Sequence, residues 1–263
     1  MNSEQWRVYA DVGNTALNWA AHDGDDWIAE GRVGVEELTA GSAVVRETLE
    51  SAGLAPSDCL RVALVSSRPS VADEMVAALA EATGAEVALM GRDLQARVEV
   101  GYYDPAEFGQ DRLAAAEGAL ALHGAPAVVI TLGTCITAQA LDRSGRVVGG
   151  AIAAGMEAQA AGIEAAVPHL REPVEHALAN LRAGRAIPGA GHSTIENLTL
   201  GLAASLRGTV EALVEAMGEV TPAPAPVIAT GGDLPAARAA GVGFDHEEPL
   251  LILEGLRAVD ERR

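Results

Sequence analysis

The chain has 263 residues, of which 49 % are apolar, so it is long enough to bury the core of one large or two small domains. Its formal net charge is −19, and arginine supplies all 18 of its basic side chains. A surface this acidic repels nucleic-acid backbones and anionic membranes, which excludes both as partners. Acidic, lysine-free surfaces also stay hydrated at high salt, where self-repulsion is screened, and we interpret this one as halophile-like.

The cysteines and histidines form no ligand pattern in the sequence. The two cysteines are far apart and lack CxxC spacing, which argues against a disulfide framework or a zinc site and favours a reducing compartment. Neither a basic leader nor a run of about 18 apolar residues is present, so we predict a cytoplasmic protein. Five histidines have no partner pattern, and we predict most of them on the surface or in helices: His22, His123, His169, His176 and His246.

The first third of the chain predicts a meander followed by alternating helices and strands. GNT and DGDD separate the first three β-type runs, and both are turn-forming sequences. Apolar residues at helical spacing predict helices over 35–52 and 69–83. The predicted strands are 6–11, 16–22, 27–33, 61–67 and 85–90.

After a predicted helix over 109–123, the order of elements repeats. A strand at 126–134 runs into a glycine–threonine turn, as the opening strand does. The repeat predicts an α/β protein of two similar halves that face a cleft. The other predicted strands are 135–142, 146–153 and 225–233, and the other predicted helices are 155–167, 193–217, 234–241 and 249–261.

The first candidate site is the turn Asp11-Val12-Gly13-Asn14-Thr15, which follows the opening strand. A glycine here lets a phosphate approach backbone N–H groups, and Asn14 and Thr15 add side-chain donors. The carboxylate of Asp11 can hold a hydrated Mg²⁺. Taken alone, the pentapeptide favours an ordinary hairpin turn with a solvated acid.

The second candidate is GYYDPAEFGQDR, residues 101–112, which ends in Asp111 and Arg112 at the start of a predicted helix. A carboxylate beside a guanidinium suits a base that must stay ionised, with a cation to hold an anionic substrate. The alternative is an acid placed at a helix N-terminus by the helix dipole, with a surface ion pair.

Two further polar turns follow later strands. Thr131 to Thr137 cluster hydroxyls around Gly133, and Gly231-Gly232 follow a buried strand. A glycine pair that opens a helix can lie against a nucleotide. Threonines on a strand and paired glycines are also common without any ligand.

The order of these four turns, each after or beside an apolar strand, resembles the superfamily of acetate and sugar kinases, heat-shock chaperones and actin. That resemblance implies two duplicated ribonuclease H-like (actin-like) domains, each a mixed β-sheet flanked by helices, with an ATP cleft between them. The boundaries we predict for the domains are 1–112 and 113–263.

Within that superfamily the chain closely resembles type III pantothenate kinases. Their D-x-G-N-T is present at 11–15, and their Y-x-x-P-x-x-L-G-x-D-R is present at 102–112 with Phe108 in place of the leucine. Their D-x-G-T-A-x-T is matched in part at 131–137, and their G-G-x-I-x-P-G is similar to 149–155. VALVSSRP, HST, TGGD and LILEGL also occur in the family's order, so the resemblance spans nearly the whole chain.

The resemblance implies phosphorylation of pantothenate by ATP to 4′-phosphopantothenate, the first step of coenzyme A biosynthesis. Asp111 would take the proton from the pantothenate hydroxyl, and Asp11 would hold Mg²⁺ through water. The other implied ATP and phosphate contacts are Gly13, Asn14, Thr15, Gly133, Thr134, Gly231 and Gly232. The implied pantothenate contacts are Tyr102, Gly109, Arg112 and Thr194, the last from the second subunit of a homodimer.

The chain departs from the family pattern at Thr131, where the family has the aspartate that binds a monovalent cation, K⁺ or NH₄⁺. A hydroxyl would bind that cation weakly, so the site could be a weak one, the cation could be dispensed with, or kinase activity could be lost. Loss would leave an accessory or regulatory protein that binds nucleotide or pantothenate. A kinase of another small hydroxy acid is a further alternative. The presence of Asp11, Asp111 and Arg112 favours the pantothenate kinase.

Overall fold

A computed structural model of the chain describes residues 5–34, 41–101 and 108–263. Contacts divide the chain into two compact units. The first unit comprises Met1–Val98, Asp104–Ala121 and Leu251–Arg263, and the second comprises Glu99–Tyr103 and Leu122–Leu250. These units group residues by contact, and the predicted domain boundary after residue 112 stays a prediction.

The elements of the described ranges follow the predicted order. The strands are β1 Trp6–Val12, β2 Ala16–His22, β3 Trp27–Gly34, β4 Cys59–Ser66, β5 Glu86–Leu89, β6 Ala127–Leu132, β7 Cys135–Leu141, β8 Val147–Ala154, β9 Val227–Thr230 and β10 His246–Glu247. The helices are α1 Ser42–Ser51, α2 Pro69–Thr83, α3 Gln110–His123, α4 Met156–Ala166, α5 Arg171–Arg182, α6 Thr194–Val220, α7 Leu234–Ala239 and α8 Leu251–Asp260.

The two units contain sheets of the same topology. In the first unit the strand order is β3-β2-β1-β4-β5, and in the second it is β8-β7-β6-β9-β10. In each sheet the central strand, β1 or β6, has an antiparallel neighbour on one side and a parallel neighbour on the other. The predicted duplication of a mixed β-sheet flanked by helices is therefore confirmed.

The core of the first unit shows why Asp11 points away from helices α1 and α2. Alternate residues of β1, from Trp6 to Val12, pack into one apolar cluster with Leu49 of α1 and Leu79 of α2. Because side chains alternate across a strand, Tyr9 and Asp11 lie on the opposite face. That face of β1 is covered by α8.

Two glycines bring α3 against α8 at backbone distance. A Cβ at Gly118 of α3 would overlap the carbonyl oxygen of Leu251, and a Cβ at Gly255 of α8 would overlap that of Ala114. Only glycine is small enough for these two contacts. Residues 113–119 of α3 are buried, and the Glu117 carboxylate accepts hydrogen bonds from the backbone N–H groups of Arg97 and Val98. This packing fixes the helix whose first turn carries Asp111.

The second unit packs its helices against the β6–β9 sheet. Ile130, Leu132 and Ile136 of the central strands join Leu181 of α5 and Leu206 of α6 in one apolar cluster. Helix α6 is the longest described helix, with 27 residues. None of the helices in the described ranges is both long enough and apolar enough to cross a bilayer.

Several features differ from the sequence predictions, among them the short strand β10, which was not predicted. Helix α5, REPVEHALANLR, was not predicted, because a proline and several charges hide the apolar positions Val174, Ala177 and Leu181. Helix α1 begins at Ser42, and residues 35–40 of the predicted helix lie outside the described residues. His22 is 5 % exposed on β2 and packs its ring edge-on against Trp27, so it is an exception among the histidines, most of which were predicted on the surface or in helices.

Candidate active site

Asp11 occupies the penultimate position of β1, the central strand of its sheet. Its register partners are Asn18 on β2 and Val65 on β4. The residue as a whole is partly exposed, but its Oδ1 is buried and finds no hydrogen-bond partner among the described residues. A buried carboxylate oxygen without a donor is energetically costly in a fold unless a ligand completes it.

The Asp111 carboxylate lies close enough to Asp11 to change its titration. Burial, and beyond it the charge of Asp111, raise the pKa of Asp11 to about 7. Both aspartates belong to the first unit, although 100 positions separate them in the chain. Two carboxylates in such proximity are typical of sites that bind a cation or exchange a proton.

The turn after β1 leaves room at its glycine. Gly13 donates its N–H to the Ala16 carbonyl at 2.9 Å, which closes the β1–β2 turn. Its φ is not positive, and the atom nearest a Cβ placed there would be the Ala16 oxygen at 3.4 Å. Backbone geometry therefore does not demand glycine at this position, whereas the close approach of a phosphate to the turn would. Asn14 is exposed and Thr15 is half-buried in the same turn.

Asp111 and Arg112 form the first turn of α3, behind Gly109. A Cβ on Gly109 would lie 2.6 Å from the Asp111 Oδ1, so a side chain at this position would require the Asp111 carboxylate to shift. The Arg112 guanidinium stacks over the Phe108 ring, 4.1 Å from its centroid. Phe108, which stands where the family has leucine, thus supplies an aromatic face that orients the guanidinium. Both Asp111 and Arg112 are half-buried.

In the second unit, three polar turns meet at the end of β6. The Gly155 N–H donates to the Thr134 carbonyl at 3.0 Å, and a Cβ on Gly155 would overlap the Gly133 oxygen. Gly231 has a φ of +111°, and a Cβ there would overlap the Leu132 oxygen. The structure therefore brings the predicted turns at 133–134 and 231–232 together. Gly133 itself has no atom closer than 3.9 Å to a Cβ position, which leaves the same open approach as at Gly13.

Helix α4 adds a feature that the sequence reasoning missed. It begins at Met156, directly after Gly155, and no side chain caps its N-terminus. Uncapped N–H groups at a helix start favour an anion, and these lie beside the Gly133–Thr134 turn. A Gly-Met junction after an apolar strand is the only local signal that could have indicated it.

Arg182, the last residue of α5, links the first turn of α4 to the residue that precedes α7 in the second unit. It donates to Asp233 and to Glu157, each at 2.9 Å. Burial alone would lower the pKa of Arg182, but the hydrogen bonds to Glu157 and Asp233 raise it above its ordinary value. The pair holds the first turn of α4 near the residue that precedes α7.

Thr131 occupies in β6 the place that Asp11 occupies in β1. Its register partners are Thr137 on β7 and Thr230 on β9, so three threonines form a row across the sheet. The Thr137 Oγ1 is buried and has no hydrogen-bond partner among the described residues. Neutral hydroxyls can coordinate a monovalent cation, but they attract it less strongly than a carboxylate does.

Two residues that were predicted to contact the substrate, Tyr102 and Thr194, belong to none of the turns described above. Tyr102 lies outside the described residues. Thr194 is exposed and begins α6, directly after Ser193, whose side chain accepts the N–H of Glu196 at 3.2 Å. Ser67, which the sequence reasoning did not single out, donates its N–H to the Val12 carbonyl at 3.0 Å and so lies beside the turn that follows β1.

The duplicated sheets define an actin-like α/β fold. The activator of 2-hydroxyisocaproyl-CoA dehydratase from Clostridium difficile, solved with ADPNP, has this fold with a TM-score of 0.57 and 17 % identity, covering 98 % of this chain and 95 % of that one. Component A of (R)-2-hydroxyglutaryl-CoA dehydratase from Acidaminococcus fermentans has a TM-score of 0.56 and 17 % identity, covering 97 % and 96 %.

The chain belongs to the type III pantothenate kinase family, whose sequence model matches residues 7–216. It is therefore a kinase. The type III pantothenate kinase of Streptomyces avermitilis is 29 % identical, with 96 % of each chain covered. That of Dehalococcoides mccartyi is 27 % identical, also with 96 % of each covered.

Proposed function

We propose that this kinase transfers the γ-phosphoryl group of ATP to the hydroxyl of pantothenate, giving ADP and 4′-phosphopantothenate for coenzyme A biosynthesis. Family membership supports the reaction. The observation that carries the proposal is the pKa of Asp11, which burial and, beyond it, the charge of nearby Asp111 raise, with both aspartates in the first compact unit. Phosphoryl transfer needs a metal-binding acid and an acceptor base near the same phosphate.

Asp11 would hold Mg²⁺ through water. Its buried, unpartnered Oδ1 and its raised pKa fit a cation, because a nearby positive charge would favour the ionised carboxylate. Bound Mg²⁺ supplies neutralisation of the charge on the phosphates. The backbone of Gly13 and the side chains of Asn14 and Thr15 would position those phosphates.

Asp111 would accept the proton of the attacking pantothenate hydroxyl. Its place beside Gly109, where a Cβ would collide with it, keeps the carboxylate accessible at the start of α3. Arg112 would bind the pantothenate carboxylate, since a guanidinium can form two parallel hydrogen bonds with it. Stacking on Phe108 limits the rotamers of Arg112 and so favours one orientation of the substrate.

The second unit would contribute nucleotide contacts through Gly133, Thr134, Gly231 and Gly232. Thr131 would provide a weak K⁺ or NH₄⁺ site in its row of hydroxyls, which contains the unpartnered Thr137 Oγ1. Without a carboxylate, that site would need a high cation concentration to fill.

We also propose a homodimer in which Thr194 contacts pantothenate bound to the partner subunit. Its exposure at the first position of α6 supports this, since the side chain is free to meet a second chain. Replacing Thr194 by alanine should raise the KM for pantothenate and leave the KM for ATP unchanged. An equal rise in both would remove the proposed contact.

The test of the kinase is pantothenate-dependent ADP release, measured in a coupled assay with Mg²⁺ across a K⁺ titration. The variant Asp111→Asn should lose about 100-fold or more of kcat, because a general base contributes on the order of 10² to 10⁴. Asp25→Asn is the matched control, since Asp25 is an exposed acid in the β2–β3 turn of the same unit. A near-normal kcat for Asp111→Asn would remove Asp111 as the base.

The departure at Thr131 supports one alternative, a non-catalytic relative that binds nucleotide or pantothenate. Absence of pantothenate-dependent turnover at every K⁺ concentration, with ligand binding retained in a thermal-shift assay, would identify that role. A panel of other small hydroxy acids tests the remaining alternative. Arg112 predicts that any accepted substrate carries a carboxylate.

A further inference from the structure

Three side chains with metal-ligating atoms meet at the end of α3 in the second unit. The ligand atoms of His123, His246 and Glu248 all lie within 4.8 Å of one another. The His123 Nε2 is 2.9 Å from the Glu248 Oε1. The rings of His123 and His246 are stacked, with centroids 4.0 Å apart and planes 26° from parallel. No local pattern pairs these two histidines, because 123 positions separate them in the chain.

The backbone holds this cluster in place from both sides. His123 is the last residue of α3, and Gly124 ends the helix with a φ of +76°. His246 pairs with Ile228 in the β9–β10 ladder, and the Glu248 N–H donates to the Ala229 carbonyl at 2.8 Å. His246 and Glu248 are two positions apart on one extended segment, so their side chains share a face. Glu247, between them, pairs instead with Arg238.

We propose that His123, His246 and Glu248 form a binding site for a divalent transition-metal ion of the zinc class. Two imidazoles and a carboxylate are ligands that this class accepts, with water in the remaining positions. Ligand atoms on one such ion in a tetrahedral site lie about 3.4 Å apart, given metal–ligand distances of about 2.1 Å. The cluster reaches that separation by side-chain rotation, with the ion replacing the hydrogen bond between His123 Nε2 and Glu248 Oε1 and the His123 proton moving to Nδ1.

The cluster is accessible to an ion from solvent. His246 is exposed, and His123 and Glu248 are partly exposed, which gives an ion a path from solvent. An ion here would join the end of α3 to β10 and would therefore stabilise the folded chain.

The test is isothermal titration of Zn²⁺ into tag-free, EDTA-stripped full-length protein, with Co²⁺ absorption as a report on ligand geometry. We expect one Zn²⁺ per chain, a raised melting temperature, and a tetrahedral-type Co²⁺ spectrum. His246→Ala should weaken binding at least tenfold, and Glu248→Gln should weaken it less. Because His246 is exposed, its variant should keep the wild-type circular dichroism spectrum.

His176→Ala is the matched control, since His176 is an exposed histidine on α5 in the same unit. It should bind Zn²⁺ like the wild type. Millimolar Mg²⁺ should not compete, because Mg²⁺ prefers an all-oxygen shell. Wild-type protein that binds no Zn²⁺ at micromolar concentration, or binding that survives His246→Ala unchanged, would overturn the proposal.

Discussion

Replacing Asp11 by asparagine should change how the stability of the ligand-free protein depends on pH. The raised pKa of Asp11 means that, between about pH 4 and 7, the folded state holds a proton that the unfolded chain has released. Raising the pH through that window therefore favours unfolding. Asparagine cannot ionise, so the variant should not lose stability as the pH rises through that window.

The magnitude follows from the shift of the Asp11 pKa, from 3.8 to about 7. At 1.36 kcal/mol per pKa unit, the shift corresponds to about 4 kcal/mol over the whole window. Between pH 5 and pH 8 the expected loss is about 3 kcal/mol of unfolding free energy. The difference between variant and wild type should grow by that amount from pH 5 to pH 8.

The assay is urea unfolding with EDTA present, followed by tryptophan fluorescence. Trp6, Trp19 and Trp27 all belong to the first unit, as Asp11 does, so the signal reports on the unit that is perturbed. Asp23→Asn is the control. Hydrogen bonds from the Asp26 and Asp25 backbone hold the pKa of Asp23 below its ordinary value, so its contribution is lost only at more acidic pH.

Two results would refute this reasoning. A difference in unfolding free energy that is the same at pH 5 and pH 8 would show that Asp11 is not a destabilised acid. A change of equal size in Asp23→Asn would show that the pH dependence is general to the fold. Adding Mg²⁺ and ATP should reduce the wild-type loss at pH 8, because a bound cation favours the ionised carboxylate.

Three further predictions concern packing and the cation. Gly118→Ala should lower the free energy of unfolding of the first unit by about 1–3 kcal/mol in urea, because its Cβ would overlap a carbonyl oxygen of α8. The control is Gly208→Ala, which should be neutral or slightly stabilising because no atom lies within 4 Å of its Cβ position. Arg182→Ala should lower the free energy of unfolding by about 3 kcal/mol in circular dichroism melts, because the Asp233 side chain, 3 % exposed, loses its ion pair with the Arg182 guanidinium. An unchanged melt would show that this ion pair does not stabilise the fold. Thr131→Asp should lower the K⁺ concentration for half-maximal activity, and an unchanged K⁺ response would show that this position is not the cation site.

The sequence predicted the sheets because their signals are local. Alternating or continuous apolar runs bounded by turn formers mark β1, β2 and β3, and the same order marks β6, β7 and β8. The duplication itself then followed from comparing the two halves. Helix α5 was missed because its apolar positions are spaced through a charged segment that contains Pro173.

The parts of the site that were not predicted depend on contacts between distant residues. Nothing near Gly118 or Gly255 indicates that α3 and α8 approach at backbone distance. His123 and His246 are likewise adjacent only in the fold. Local patterns predict elements, but the contacts between elements depend on how the whole core packs.

The duplicated topology provides an internal comparison for Asp11. β1 and β6 are the central strands of equivalent sheets, and each ends one residue before a glycine turn. At the penultimate position the first sheet has Asp11, whose buried Oδ1 lacks a partner, and the second has the neutral Thr131. The fold therefore accepts an uncharged side chain at this position. An acid that the strand does not require, with a buried oxygen that lacks a partner, supports the proposal that Asp11 is there to bind a ligand.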